Sequence, residues 1–201
     1  MMANSAQSEF TLRPMTMEDV PVITRWLEHL PDLCLFDRTS VIPLNEASNS
    51  AIWEPIINGS EPRRYYWFSA EDSDGNIAGI AGLSDINYIH GDAVAALFVS
   101  QKGRRKGLGM KMTAMMVDLG FHQLRLERVT TYCREDNTAS SELVSRLGFV
   151  REGVMRKAWF SGGKRYDIHA VGLLKEEWEA AREELIPELE KGAAISFGRR
   201  E

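Results

Sequence analysis

From Arg63 to Ser100 the hydrophobic pattern repeats every two residues, and it does so in three successive stretches. RRYYWFSAE, IAGIAGLSDIN and AVAALFVS are rich in aromatic, β-branched and small apolar residues, and short linkers around the turns SDGN and IHGD separate them. Strands joined by turns this short must lie side by side and antiparallel. The segment therefore predicts a three-stranded meander. At Gly107 the period changes: Leu108, Met112, Met115, Met116 and Leu119 recur at helical spacing. A meander that hands its third strand to a helix across a short glycine-rich turn leaves few topologies open.

The rest of the chain adds to that frame. EFTLRPMTMEDV starts extended, then offers Thr16 as a helix N-cap with Asp19 three residues on. Val20, Ile23, Trp26, Leu27 and Leu30 follow at helical spacing, and Pro31 is expected to end that helix. A further helix is expected over Asn45 to Asn58, despite Pro55. Downstream, RVTTYC reads as a strand. DNTASSELVSRLG reads as a helix, with Asp136 or Asn137 at its cap and Gly148 just past its end. FVREGVMRKAWFSGGKRYDIHAVGLL is a hairpin turning at Gly162-Gly163, and KEEWEAAREEL is a last helix expected to stop at Pro187. The order is one mixed α/β layer structure, a single domain over residues 8–190. Residues 191–201 are expected to be a flexible tail.

Composition removes several function classes. A net charge of −5 over 201 residues argues against a general nucleic-acid binder. No apolar run approaches the roughly 18 residues a membrane span needs, and MMANSAQSEF has no apolar leader. Cys34 and Cys133 form no CxxC pattern and read as reduced thiols, so a cytoplasmic location is the expectation. His29, His90, His122 and His169 show no metal-ligand spacing.

Against that acidic background, Lys102 to Gly109 holds four basic residues, Lys102, Arg104, Arg105 and Lys106, and three glycines, Gly103, Gly107 and Gly109. Glycine lets consecutive backbone N–H groups turn into one concavity. The first N–H groups of the next helix are unpaired, and the helix dipole favours an anion there. The turn is therefore a candidate phosphate site. Neither of two familiar phosphate motifs is present. A P-loop would need a Lys directly after its second Gly, where Met110 follows Gly109, and a dinucleotide GxGxxG would need Gly at Met112.

With these residues in place the chain resembles the GNAT superfamily of acyl-CoA-dependent N-acyltransferases. That family's signature is Arg or Gln, two residues, Gly, one residue, then Gly or Ala, set between a strand and a helix. Arg104-Arg105-Lys106-Gly107-Leu108-Gly109 matches it throughout. CREDNTASSELVSRLGFVREGVMR and the Gly162-Gly163 hairpin running to Asp167 resemble the subgroup that acetylates ribosomal-protein N-termini. LRPMTMEDVPVI resembles the family's opening strand and helix, so the likeness spans about residues 10 to 175. It implies a mixed, mostly antiparallel sheet of about seven strands flanked by helices. It also implies acetyl-CoA as cofactor. Backbone amides from Arg104 to Met110 would hold the pyrophosphate, Gly109 would clear room for its close approach, and Phe98 and Val99 would pair with pantetheine like an added strand. Asn137 would bind pantetheine amides, and Ser140 would donate a proton to the departing sulfur. By spacing alone, Asn137 fits a helix cap and Ser140 an N3 residue equally well.

One position departs from the subgroup. Trp159 stands where relatives can carry a glutamate proposed as general base. The expected reaction is direct attack of a primary amine on the thioester, with a peptide N-terminus as acceptor. A small-molecule amine (polyamine or amino sugar) and a non-catalytic acyl-CoA-binding module are the rival readings. Tyr66 and Phe68 are expected in the core, Asp32, Asp37, Glu46 and Asp85 on the surface, and a homodimer fits the architecture.

Overall fold

The computed structural model describes residues 9–198. The expected domain start at residue 8, most of MMANSAQSEF and the last three tail residues lie outside the described residues. In chain order the strands are β1 (Glu9–Pro14), β2 (Tyr66–Asp72), β3 (Ile77–Asn87), β4 (Asp92–Val99), β5 (Arg128–Arg134), β6 (Val150–Ser161), β7 (Lys164–Leu174) and β8 (Ala194–Phe197). The helices are α1 (Val20–Leu27), α2 (Leu30–Phe36), α3 (Glu46–Ile57), α4 (Leu108–His122), α5 (Thr138–Arg146) and α6 (Lys175–Leu189).

All eight strands join one sheet in the order β6-β7-β5-β4-β3-β2-β1-β8. β2, β3 and β4 form the predicted meander, with Phe68 opposite Ala81 and Ile80 opposite Phe98. Two pairs are parallel, β4 with β5 and β1 with β8; the others are antiparallel. Alternation along the strands sends apolar side chains to both faces. On one face α4 lays Met112, Met116 and Phe121 against Leu83, Val129 and Leu173. On the other, Val20, Ile23 and Leu27 of α1, Leu33 of α2 and Trp53 of α3 pack over Ile80 and Phe98. Tyr66 and Phe68 pack against the first of these clusters, half-buried.

Three expectations change. Pro31 does not end a helix; it sits in the first turn of α2, where its missing N–H leaves nothing unpaired. Pro187 lies inside α6, which runs on to Leu189; the carbonyl it displaces belongs to exposed Glu183, which water can satisfy. Residues 191–198 are not a free tail. Ala194–Phe197 pair with β1, Phe10 opposite Ile195 and Leu12 opposite Phe197, and make an eighth strand where about seven were expected.

Candidate active site

β4 and β5 pair only from Asp92 opposite Arg128 to Val94 opposite Thr130. Beyond that point β4 stays with β3 as far as Val99 opposite Gly79, while β5 stays with β7 as far as Arg134 opposite Ile168. The sheet therefore opens between them. Ser100 N–H donates to Ala78 C=O (2.9 Å), which sets the alternation along β4. Leu97 and Val99 turn their main-chain groups into the opening. Phe98 spends its own on Ile80 and puts its ring among the α1 and α2 side chains.

At the mouth of the opening, Ser100 C=O accepts from Gly103 N–H (2.9 Å) and Arg104 N–H (3.1 Å). Arg105 (φ 63°) and Gly107 (φ 75°) then take left-handed conformations. The first bond of α4 runs from Lys111 N–H to Gly107 C=O (3.3 Å). The N–H groups of Arg105, Lys106, Gly107, Leu108, Gly109 and Met110 find no acceptor among the described residues. Consecutive free donors at a helix N-terminus fit a phosphate group.

Arg104 differs from its neighbours. Its N–H is used by the turn, its Nε donates to Val99 C=O (3.1 Å), and its Nη2 pairs with Asp32 Oδ1 (2.7 Å). Gly109 also has a packing role. A Cβ there would lie 3.3 Å from Leu143 Cδ1 and 3.3 Å from Leu97 Cδ2, so glycine lets α4 close onto β4 and α5.

Asp32 is buried rather than solvated. Burial pushes its carboxyl up, but Arg104, with His29 Nδ1 at 3.0 Å and Gln101, holds it below the ordinary carboxylate range. Cys34 C=O on the same helix accepts from Arg134 Nη1 (2.8 Å). α2 is thus tied to both lips of the opening. Arg134 is itself buried, bonds Asp136 (2.6 Å) and stacks over Tyr166 (4.4 Å) and beside Trp159 (5.9 Å). Trp159 is buried in this group, so position 159 offers an indole and no carboxylate.

On the α1–α3 face the rings of the second cluster pack on one another. Trp26 stacks on Phe98 (5.7 Å), Phe36 meets Phe98 edge-on (5.3 Å), and Trp53 meets Trp67 edge-on (5.1 Å). Trp67 Nε1 is buried without a hydrogen-bond partner among the described residues.

On the opposite face Asn137 caps α5, its Oδ1 accepting from Ser140 N–H (3.1 Å). Ser140 Oγ lies 3.3 Å from Cys133 Sγ. Burial pushes the Cys133 thiol up, against the bonds to Ser140 and Ser141. The thiol therefore stays protonated and can donate to Ser140 Oγ, which leaves the serine hydrogen free to point elsewhere. The Asp32–Arg104 and Cys34–Arg134 ties had no local signal, because the partners lie 72 and 100 residues apart.

Residues 9–150 match the family model described as an acetyltransferase (GNAT) domain. The SPbeta prophage-derived uncharacterized N-acetyltransferase YokL of Bacillus subtilis is 31% identical, over 84% of this chain and 92% of that protein. The spermidine N(1)-acetyltransferase of Vibrio cholerae is 26% identical, over 63% of this chain and 72% of that protein. The crystal structure of a Vibrio cholerae spermidine N-acetyltransferase in complex with CoA and spermine shares the fold. It has a TM-score of 0.76 at 21% identity and covers 85% of this chain and 98% of that one. With the opened sheet and the unpaired donors at the start of α4, the match places this chain in the GNAT family of acetyl-CoA-dependent N-acetyltransferases.

Proposed function

We propose that the chain acetylates a small-molecule amine of the polyamine class by direct attack in a ternary complex. The observation that carries the acceptor class is the likeness, in sequence and in fold, to the spermidine acetyltransferases.

Acetyl-CoA supplies an activated thioester. The free N–H groups from Arg105 to Met110 are suited to its pyrophosphate, and the main-chain groups of Val99 and Leu97 to its pantetheine arm. Ser140 is the proposed proton donor to the leaving sulfur. Asn137, already the cap of α5, holds Ser140 in place and carries the proposed contact to pantetheine. The attacking amine must be neutral, a steep demand for an alkylammonium near pKa ~10.4. With an indole at position 159, the turnover rate is expected to climb as pH rises from 7 to about 9, following the free-amine fraction.

The test is CoA release with spermidine, spermine and putrescine set against peptides with free N-termini. Turnover with polyamines is the expected result. Turnover with peptides alone would sink this reading and favour the peptide N-terminus. That second reading is supported by the exposed cations Arg156, Lys157, Lys164 and Arg165 on the β6–β7 hairpin, which suit an acidic peptide better than a polycation.

A further inference from the structure

The chain after α6 doubles back onto the glycine-rich turn. Ala193 N–H donates to Lys106 C=O (3.0 Å), and Ala193 C=O accepts from Lys111 Nζ. Ala193 is 3% exposed, so this peptide is clamped between the turn and the first turns of α4. Gly192 has φ 77°, and a Cβ there would lie 2.5 Å from Lys106 O. Glycine is needed at this point both for the left-handed backbone and for the close approach. Beyond the clamp, β8 zips onto β1. Gly198 N–H bonds Leu12 C=O (3.0 Å), and Phe197 meets Phe68 edge-on (5.6 Å). Before it, Glu188 of α6 pairs with Arg146 of α5. The segment is therefore tied down on both sides of its contact with the turn.

Lys106 lies between the two left-handed residues Arg105 and Gly107. A trans peptide is planar, and its C=O and N–H point in opposite directions. Holding Lys106 C=O toward Ala193 therefore aims Gly107 N–H the other way, into the free-donor concavity. The neighbouring Lys111 is a buried cation in the first turns of α4, where the helix dipole opposes it. Burial lowers its pKa, and the charge of Glu190 works against that. The Ala193 carbonyl gives the ammonium a partner there.

We propose that Lys191–Gly198 is a strap that sets the conformation of the acetyl-CoA turn, which makes Gly192 and Ala193 positioning residues for the cofactor. The proposal rests on the assignment of that turn as the pyrophosphate site. It predicts that damage to the strap is felt as lost cofactor affinity, not only as lost stability.

The experiment is calorimetric titration of CoA into the full chain, into Gly192→Ala and Gly192→Val, and into the chain lacking residues 192–201, each with a melting curve. Steady-state kinetics with the best acceptor amine accompany it. Both Gly192 variants should bind CoA about tenfold more weakly, Val more so than Ala. KM for acetyl-CoA should rise by the same factor, with acceptor KM and kcat at saturating acetyl-CoA within about twofold of the full chain. A variant that melts early yet binds CoA with undiminished affinity overturns the proposal, since the segment would then be a staple and nothing more. If the shortened chain fails to fold, the Gly192→Ala result decides alone. A full chain that does not bind CoA removes the cofactor assignment itself, a failure recognisable before any variant is made.

Discussion

Asn137 accepts the Ser140 N–H, and Ser140 in turn sits against the Cys133 thiol. These contacts separate two kinds of loss. Asn137→Ala should cost about 0.5–2 kcal/mol in urea unfolding, because a cap is lost. Ser140→Ala should lower single-turnover rate by about 10²-fold with acetyl-CoA affinity nearly unchanged. Wild-type turnover in a destabilised Ser140→Ala protein would dismiss the serine as proton donor. Arg104 calls for a different measurement. Removing its guanidinium leaves Asp32 buried with, among the described residues, His29 and Gln101 as side-chain partners. Arg104→Ala should therefore destabilise by about 1.5–3 kcal/mol. The same change in an Asp32→Asn background should cost clearly less. Equal costs in the two backgrounds would mean the pair is not coupled.

α1 begins beneath a polar knot. Arg13 on β1 reaches Asp19 through both Nη atoms (2.9 and 2.8 Å), and Asp19 also accepts from Thr16 N–H (3.0 Å) and Ser69 Oγ (2.8 Å). Burial pushes the Asp19 carboxyl up, but these donors together hold it below its ordinary range. Asp32, at the start of α2, is shifted the same way. A carboxyl with a lowered folded-state pKa stabilises the fold above its unfolded pKa of ~3.9 and loses that contribution as pH falls through the folded value. Unfolding free energy should accordingly hold level from neutrality to about pH 5 and then fall. Asp19→Asn should be less stable at pH 7 and show a shallower acid limb. An unchanged acid limb would show that the knot at α1 is not what titrates.

Taken whole, the molecule is a sheet with a covered face on each side and one opening between β4 and β5. The unpaired donors at the start of α4 lie at one end of that opening, and the rings pack on the face opposite α4. Both cysteines are buried, and burial raises the Cys133 thiol. No activated thiolate is offered for a covalent acetyl-enzyme. Initial-velocity plots against both substrates should intersect; parallel lines would indicate a covalent intermediate instead. At the outer edge, β6 pairs only with β7 and leaves Val150, Val154 and Phe160 exposed. No helix among the described residues is long and apolar enough to cross a membrane.

Local pattern determined the parts that depend on neighbours in the chain. The period-2 runs became β2, β3 and β4, and the Asn137 cap opened α5. The glycine turn delivered its unpaired donors to the start of α4. A periodicity or a cap is written within about one turn of chain, so a sequence displays it directly. Tertiary structure decided what those parts meet. Arg104 became a partner of Asp32, and Trp159 a wall beside Arg134. Gly109 became a packing glycine under Leu143, and the expected loose end became β8 with its clamp on Lys106. Each of these joins residues distant in sequence, and each is fixed by burial and by hydrogen-bond partners that exist only once the sheet has closed.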